Sequence, residues 1–339
     1  MTHNPPFSFF TLTLFIPVSP LHNSLPQFRI VHIISVPSVP DNNVTFPLVT
    51  LATRPEGGAT PEEAGSLAGN GSACKRGEVR QSEVRMEKVV NCFCKQPDAV
   101  ARLVCFPWAG GGSIHYARWG KIFNSSIEVY SVKLPGREAR AKEPYAVEIH
   151  EIVNEVTHAL LPQLKEKPFA FFGHSFGALT SFATAEYLKR VYGLEPAHLF
   201  VSGCSAPHSI ARTSSQKTSE LPDKEFLEWM TTVGGTPPEI LGNPEVVNLF
   251  LPVLKADLRV VENYSYLKPP SSVLSCAITA FDGTEDVPHD VDAWKELTSG
   301  EFTKQMLPGS HFYLKDPQNE AHLVKYITKC LETTEIDYI

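Results

Sequence analysis

The chain predicts an α/β protein with a mostly parallel, doubly wound sheet, and two observations carry that prediction. From Met86 onward, short apolar runs alternate with stretches of helical periodicity. This is the pattern of strands covered on both faces by crossover helices. One of these runs, Pro168-Phe169-Ala170-Phe171-Phe172, breaks directly into Gly173-His174-Ser175-Phe176-Gly177. Only a sharp strand-to-helix turn fits that succession, with glycine where the two elements must approach closely.

Strands are expected at 103–106, 129–133, 169–172, 199–202, 277–281 and 303–306. Between them, Ile149, Ile152, Val153, Val156, Ala159 and Leu160 recur at three- and four-residue spacing, which gives a helix one apolar stripe. No good strand appears in about 205–268. Two helix-like segments stand there instead, 222–233 and 244–264, the second expected to be interrupted by Pro252. An insertion at this point, ahead of a late strand, is placed to act as a lid.

A hydrophobic content of 42% against 20% charged residues leaves enough apolar material for a sizeable core. The formal net charge of -7, with no long basic stretch, argues against a nucleic-acid binder. Seven scattered cysteines form no C-x-x-C pair and no disulfide framework, so reduced thiols in a cytosolic setting are expected. Cys105 and Cys276 lie in apolar runs and read as small buried hydrophobes.

Residues 1–85 are chemically different. Arg29 and Asp41 are the only Lys, Arg, Asp or Glu residues in the first fifty, which carry eight prolines, and a Gly/Glu/Ala/Ser stretch follows. Such a composition disfavours a packed core. The expectation is a disordered extension or a gene-model artefact, with the folded domain spanning 86–339. The apolar piece 7–18 lacks a basic flank and a small-residue cleavage site, so it does not read as a signal peptide. With no run near ~20 apolar residues, a transmembrane span is not expected either.

The pentapeptide fits a G-x-S-x-G nucleophile elbow, and its strand–turn–helix context points to an α/β-hydrolase fold. Ser175 is then the nucleophile, which needs a general base oriented by an acid, in the chain order Ser, Asp or Glu, His. By position His198, His208, His289, His311 and His322 qualify, and His174 only if the order is ignored. His311 stands out because Leu307-Pro308-Gly309-Ser310-His311 is a Pro/Gly loop between a strand and a helix starting at Pro317. For the acid, Asp282, Glu285 and Asp286 follow the strand at 277–281. Asp286, beyond the turn, is placed to reach back to His311, and Asp282 is the alternative. Oxyanion donors are expected from the backbone N–H of Phe176 and from the glycine-rich loop Trp108-Ala109-Gly110-Gly111-Gly112, at Ala109.

Four blocks together resemble the type II thioesterases, stand-alone enzymes that serve fatty acid and polyketide synthases. They are F-P-W-A-G-G-G-S from Phe106, L-P-G-R-E-A-R from Leu134, P-F-A-F-F-G-H-S-F-G from Pro168 and M-L-P-G-S-H-F-Y-L from Met306. The resemblance covers about Met86 to the C-terminus, and residues 1–85 have no counterpart in it. It implies hydrolysis of a fatty acyl thioester on the phosphopantetheine arm of an acyl carrier protein, releasing a free, medium-chain fatty acid. It places nucleophile, acid and base on Ser175, Asp286 and His311, with no metal or organic cofactor and no membrane insertion. Phe176 stands where methionine is more usual in the family, which touches only local pocket shape. Apolar residues of the insertion, Phe226, Trp229, Met230, Leu251 and Leu254 among them, can bury the lid or line an acyl tunnel. Arg137 and Arg140 could meet the acidic carrier or pin their own loop. Two other functions remain open to sequence: a general carboxylesterase or lipase, and a catalytically silent binding module.

Overall fold

The computed structural model describes residues 11–17, 28–34, 85–234, 236 and 241–334. Two units divide the chain, residues 1–70 and 71–339. In the first, strand β1 (Thr11–Pro17) pairs antiparallel with β2 (Phe28–Ile34), Thr11 opposite Ile34 and Pro17 opposite Phe28. Part of the segment expected to lack structure is thus a strand pair. The rest of that expectation, over the remainder of 1–84, lies outside the described residues.

The second unit is organised by a seven-stranded sheet. Its strands are β3 (Val90–Asn91), β4 (Ala101–Phe106), β5 (Ile127–Val132), β6 (Phe169–His174), β7 (His198–Ser202), β8 (Ala277–Gly283) and β9 (Phe302–Leu307), in the order β3-β5-β4-β6-β7-β8-β9. Only the two-residue β3 runs antiparallel. All six predicted strands are present, each longer than its sequence signal; in β4 to β7, buried throughout, no alternation marks the ends. β3, too short for any periodicity, was not foreseen.

Every residue of β4, β5, β6 and β7 is buried. The apolar side chains form two layers. One joins Val104, Phe106, Phe171 and Val201 to the helices α3 (Ile149–Leu164) and α4 (Phe176–Tyr192). The other joins Leu103, Cys105, Phe172 and Phe281 to Trp119, Leu323 and Ile327, which belong to the Arg118–Lys121 turn and to helix α8 (Pro317–Thr334). Helices on both faces are what the near-continuous apolar strands required. A one-turn helix α1 covers 85–89, and α2 (Ile114–Ala117) opens the region after the glycine-rich loop. Cys105 and Cys276 are free thiols, buried as expected; Cys74 lies outside the described residues.

Helices α5 (Ile210–Thr213), α6 (Asp223–Val233) and α7 (Pro244–Glu262) form the insertion. Pro252 does not interrupt α7, which continues for ten residues beyond it. A missing N–H removes one helical bond, and burial of Val246, Val247, Leu251, Val260 and Val261 along the same helix outweighs it. Asn243 caps the start, its side chain accepting from the N–H groups of Glu245 and Val246. Phe226, Met230, Val247 and Leu251 form a small core of their own between α6 and α7. No helix of the described residues is long and apolar enough to cross a membrane.

Candidate active site

Parallel strands β4, β6, β8 and β9 bring the loops after their carboxyl ends to one edge of the sheet. The strand order reverses between β4 and β6, because β5 lies on one side of β4 and the later strands on the other. A crevice opens at such a switch point. The glycine-rich loop and Ser175 flank it.

Ser175 sits at φ 56°, ψ -115°, one of two non-glycine residues with positive φ among those described. A backbone this strained persists only where surroundings over-determine it. The Ser175 N–H donates to Ser202 O at 2.7 Å, and its carbonyl accepts from Ala178 N–H at 2.9 Å. Both flanking glycines are obligatory. A Cβ on Gly173 would lie 2.0 Å from Gly177 O, and one on Gly177 would lie 2.1 Å from Phe106 O. Throughout 169–185 every residue but Ser175 is buried, so the turn presents that one side chain outward.

His311 follows β9 and Asp286 follows β8. His311 Nδ1 lies 2.8 Å from Asp286 Oδ2. The Asp286 side chain is 1% exposed, and its Oδ1 accepts the Val287 N–H at 2.7 Å. The two loops are bonded to each other, Thr284 N–H to Leu307 O and Glu285 N–H to Gly309 O. Buried Asn319 in α8 donates to Pro308 O and Tyr313 O, fixing the chain around His311. This anchor gave no sequence signal.

The ring of His174, next to Ser175 in the chain, lies 4.8 Å from the His311 ring, centroid to centroid. No hydrogen bond joins Ser175 Oγ to His311 in this structure. Nucleophile–base contacts are often loose in a free enzyme and tighten with substrate. With Nδ1 committed to Asp286, His311 keeps Nε2 for that purpose.

The other histidines sort plainly. His174 is fully buried, shares a bond with Ser202 Oγ at 2.8 Å, and is held neutral by that burial. His198 is buried against Thr279, and burial pushes it down to about 4. His322 pairs with Gln305 at the surface, and His208 lies 3.5 Å from Glu296.

His289 is the one that sequence reasoning underrated. Its Nδ1 lies 3.1 and 3.2 Å from the two Asp282 oxygens and 3.8 Å from Asp286 Oδ2. Burial lowers its proton affinity, yet the Asp282 bond and the charges of Asp282 and Asp286 outweigh burial and raise its pKa. The structure therefore gives the two competing aspartates different partners: Asp286 holds His311, and Asp282 holds His289. Asp286, His289 and His311 offer three ligand atoms within 4.8 Å, enough to grip a cation. Each is already matched in the hydrogen bonding just described, which accounts for the cluster without one.

In the glycine-rich loop, Gly110 N–H donates to Asp257 Oδ2 at 2.7 Å and Gly111 N–H to Trp108 O at 2.9 Å. Among the described residues no hydrogen bond engages the N–H of Ala109 or of Phe176, the two expected oxyanion donors. Phe176 begins α4, where the helix dipole also favours negative charge. Arg137 and Arg140 are buried and spend their guanidinium groups internally, Arg137 on Asp257 and Arg140 on Glu143 and Glu155. Of their two readings, the loop-pinning one holds.

Sheet topology and elbow define an α/β-hydrolase fold. Residues 101–331 match the thioesterase domain family, and the chain belongs to it. It is 48% identical to the medium-chain S-acyl fatty acid synthase thioesterase of Rattus norvegicus over 258 residues, covering 76% of this chain and 98% of that one. The Homo sapiens enzyme of the same name is 43% identical over 77% of this chain and 98% of its own. Among solved structures, human thioesterase 2 superposes with a TM-score of 0.57 at 38% identity, covering 70% of this chain and 98% of that chain. RedJ, a thioesterase from the prodiginine pathway of Streptomyces coelicolor, gives 0.63 at 33% identity, covering 70% and 87%.

Proposed function

We propose that this thioesterase cleaves medium-chain fatty acyl groups from the phosphopantetheine arm of the acyl carrier protein of a fatty acid synthase, in the cytosol. Ser175, His311 and Asp286 serve as nucleophile, base and acid. The reading is supported above all by the strained Ser175 elbow beside a buried Asp286–His311 pair, on a chain with relatives that bear that activity in their names.

The chemistry follows from the side chains. Ser175 Oγ bonds to the thioester carbonyl carbon while its proton passes to His311 Nε2. Asp286 holds the Nδ1–H tautomer and stabilises the imidazolium. Negative charge on the former carbonyl oxygen is met by the Ala109 and Phe176 N–H groups. Collapse of the tetrahedral species breaks the C–S bond, and the pantetheine sulfur takes the His311 proton. Water, deprotonated by the same imidazole, then attacks the acyl-serine; the fatty acid leaves and Ser175 recovers its proton. The acyl chain rests against the apolar side of the insertion, each buried methylene contributing about 0.8 kcal/mol.

Turnover of acyl-carrier-protein thioesters over a ladder of chain lengths tests this, beside oxygen esters of the same acids. Thioester preference peaking at medium length, abolished in Ser175→Ala and His311→Ala, is the expected result. Equal rates on oxygen esters would favour a general esterase. Failure of Ser175 to react with a fluorophosphonate probe would favour a silent binding module.

A further inference from the structure

Helix α7 carries an acid on its buried face where packing alone asks for an apolar residue. Asp257 is 4% exposed and shares that face with Val246, Val247, Leu251, Val260 and Val261. Its carboxylate accepts from both terminal nitrogens of Arg137, at 2.5 and 2.6 Å, and from the Gly110 N–H at 2.7 Å. Arg137 also donates to Gly111 O at 3.1 Å. One turn earlier on α7, Leu254 covers Gly110 so closely that an added Cβ there would lie 3.3 Å from it. The far end of the loop is gripped from the same segment: Glu138 accepts from Ser113 N–H at 3.0 Å and from Ser113 Oγ at 2.8 Å. The stretch that follows Ala109 is therefore fixed from the lid on one side and from residues 137–138 on the other.

We infer that Asp257, held by Arg137, is a positioning residue that couples the lid helix to the oxyanion loop. A lid needs only apolar contact to cover a tunnel. A charge-assisted bond from the lid to the peptide beside Ala109 does something else: it sets the plane and position of that peptide, and with it the donor next in the chain. By satisfying the Gly110 N–H, the carboxylate also keeps that group from competing for the oxyanion. The pair is buried on both sides, so removing either member leaves an uncompensated charge against the loop. The inference rests on the thioesterase reading of Ser175.

Two ligands of one acyl chain length separate the roles. An acyl trifluoromethyl ketone accepts Ser175 Oγ at its carbonyl carbon, the proton going to His311 and the charge to the former carbonyl oxygen. An alkyl thioether of the same length has no carbonyl and reports only on lid and tunnel. Asp257→Asn and Arg137→Lys are expected to weaken the ketone about 10- to 100-fold while thioether affinity stays within about threefold, and to lower kcat far more than they raise KM. Where a single variant fails to fold, Asp257→Asn combined with Arg137→Met removes both charges together and is read by the same ratio. Parallel loss of both ligands would make the pair a simple lid pin and overturn the inference. So would a ketone preference unchanged in the variants. A wild-type protein that binds the ketone no better than the thioether would remove the Ser175 reading, and this inference with it.

Discussion

Asp286→Asn has an outcome that the hydrogen bonding fixes in advance. Oδ1 accepts the Val287 N–H at 2.7 Å, and an amide NH2 cannot accept. The asparagine carbonyl must therefore take the Oδ1 position, which leaves its NH2 facing His311 Nδ1, now 2.8 Å from Oδ2. Donation from that NH2 favours the tautomer with the proton on Nε2, where the ring cannot accept from Ser175. The expected loss in kcat is about 10³- to 10⁴-fold, or about 4–5.5 kcal/mol of transition-state stabilisation. Asp282→Asn is the control. Its Oδ1 accepts Gly283 N–H at 3.0 Å, so the new NH2 faces His289 instead. Less than about a tenfold loss is expected there, since Asp282 bonds His289 and not His311. Steady-state thiol release from a medium-chain acyl thioester gives both numbers, with thermal unfolding to show that each variant is folded. A folded Asp286→Asn within tenfold of wild type, or an Asp282→Asn that is the worse of the two, would refute the assignment of the acid.

Three other predictions stand on separate observations. Gly177→Ala pushes a Cβ to 2.1 Å from Phe106 O, so β4 and α4 must part; about 1–3 kcal/mol of stability should be lost together with most activity, read by urea unfolding and turnover. The raised pKa of His289 gives stability that is fully present below the unfolded value of 6.5 and is lost as pH rises through the higher folded value. In His289→Gln the unfolding free energy should lose that decline as pH rises above 6.5; an unchanged slope would argue against the Asp282 pairing. Deleting residues 1–85 is expected to leave turnover and the unfolding midpoint of the thioesterase unit unchanged, and a large drop in either would contradict the reading of that segment.

Six strands and the elbow could be read from the chain because each is encoded within a few neighbouring residues. An apolar run and a Gly/Pro break need no distant partner to be recognised. His311 was legible for the same reason, as a histidine on a Pro/Gly loop after a strand. Asp286 could be favoured over Asp282 from its place beyond the turn, since Asp282 still belongs to β8; that Asp282 is taken up by His289, seven residues on, was not legible. Pro252 misled because local propensity speaks for the isolated helix, whereas packing of α7 decides.

What the sequence determined by itself was the identity of the parts: a nucleophile turn, a histidine loop, a glycine-rich loop and an apolar insertion. Tertiary structure decided the pairings among them. Asp286 with His311, and Asp257 with Arg137 and Gly110, each join groups whose approach depends on strand order and helix placement. Such contacts span up to 147 residues of chain, as between Gly110 and Asp257. The energy of a buried ion pair or hydrogen bond depends on distances and desolvation that only the assembled fold sets.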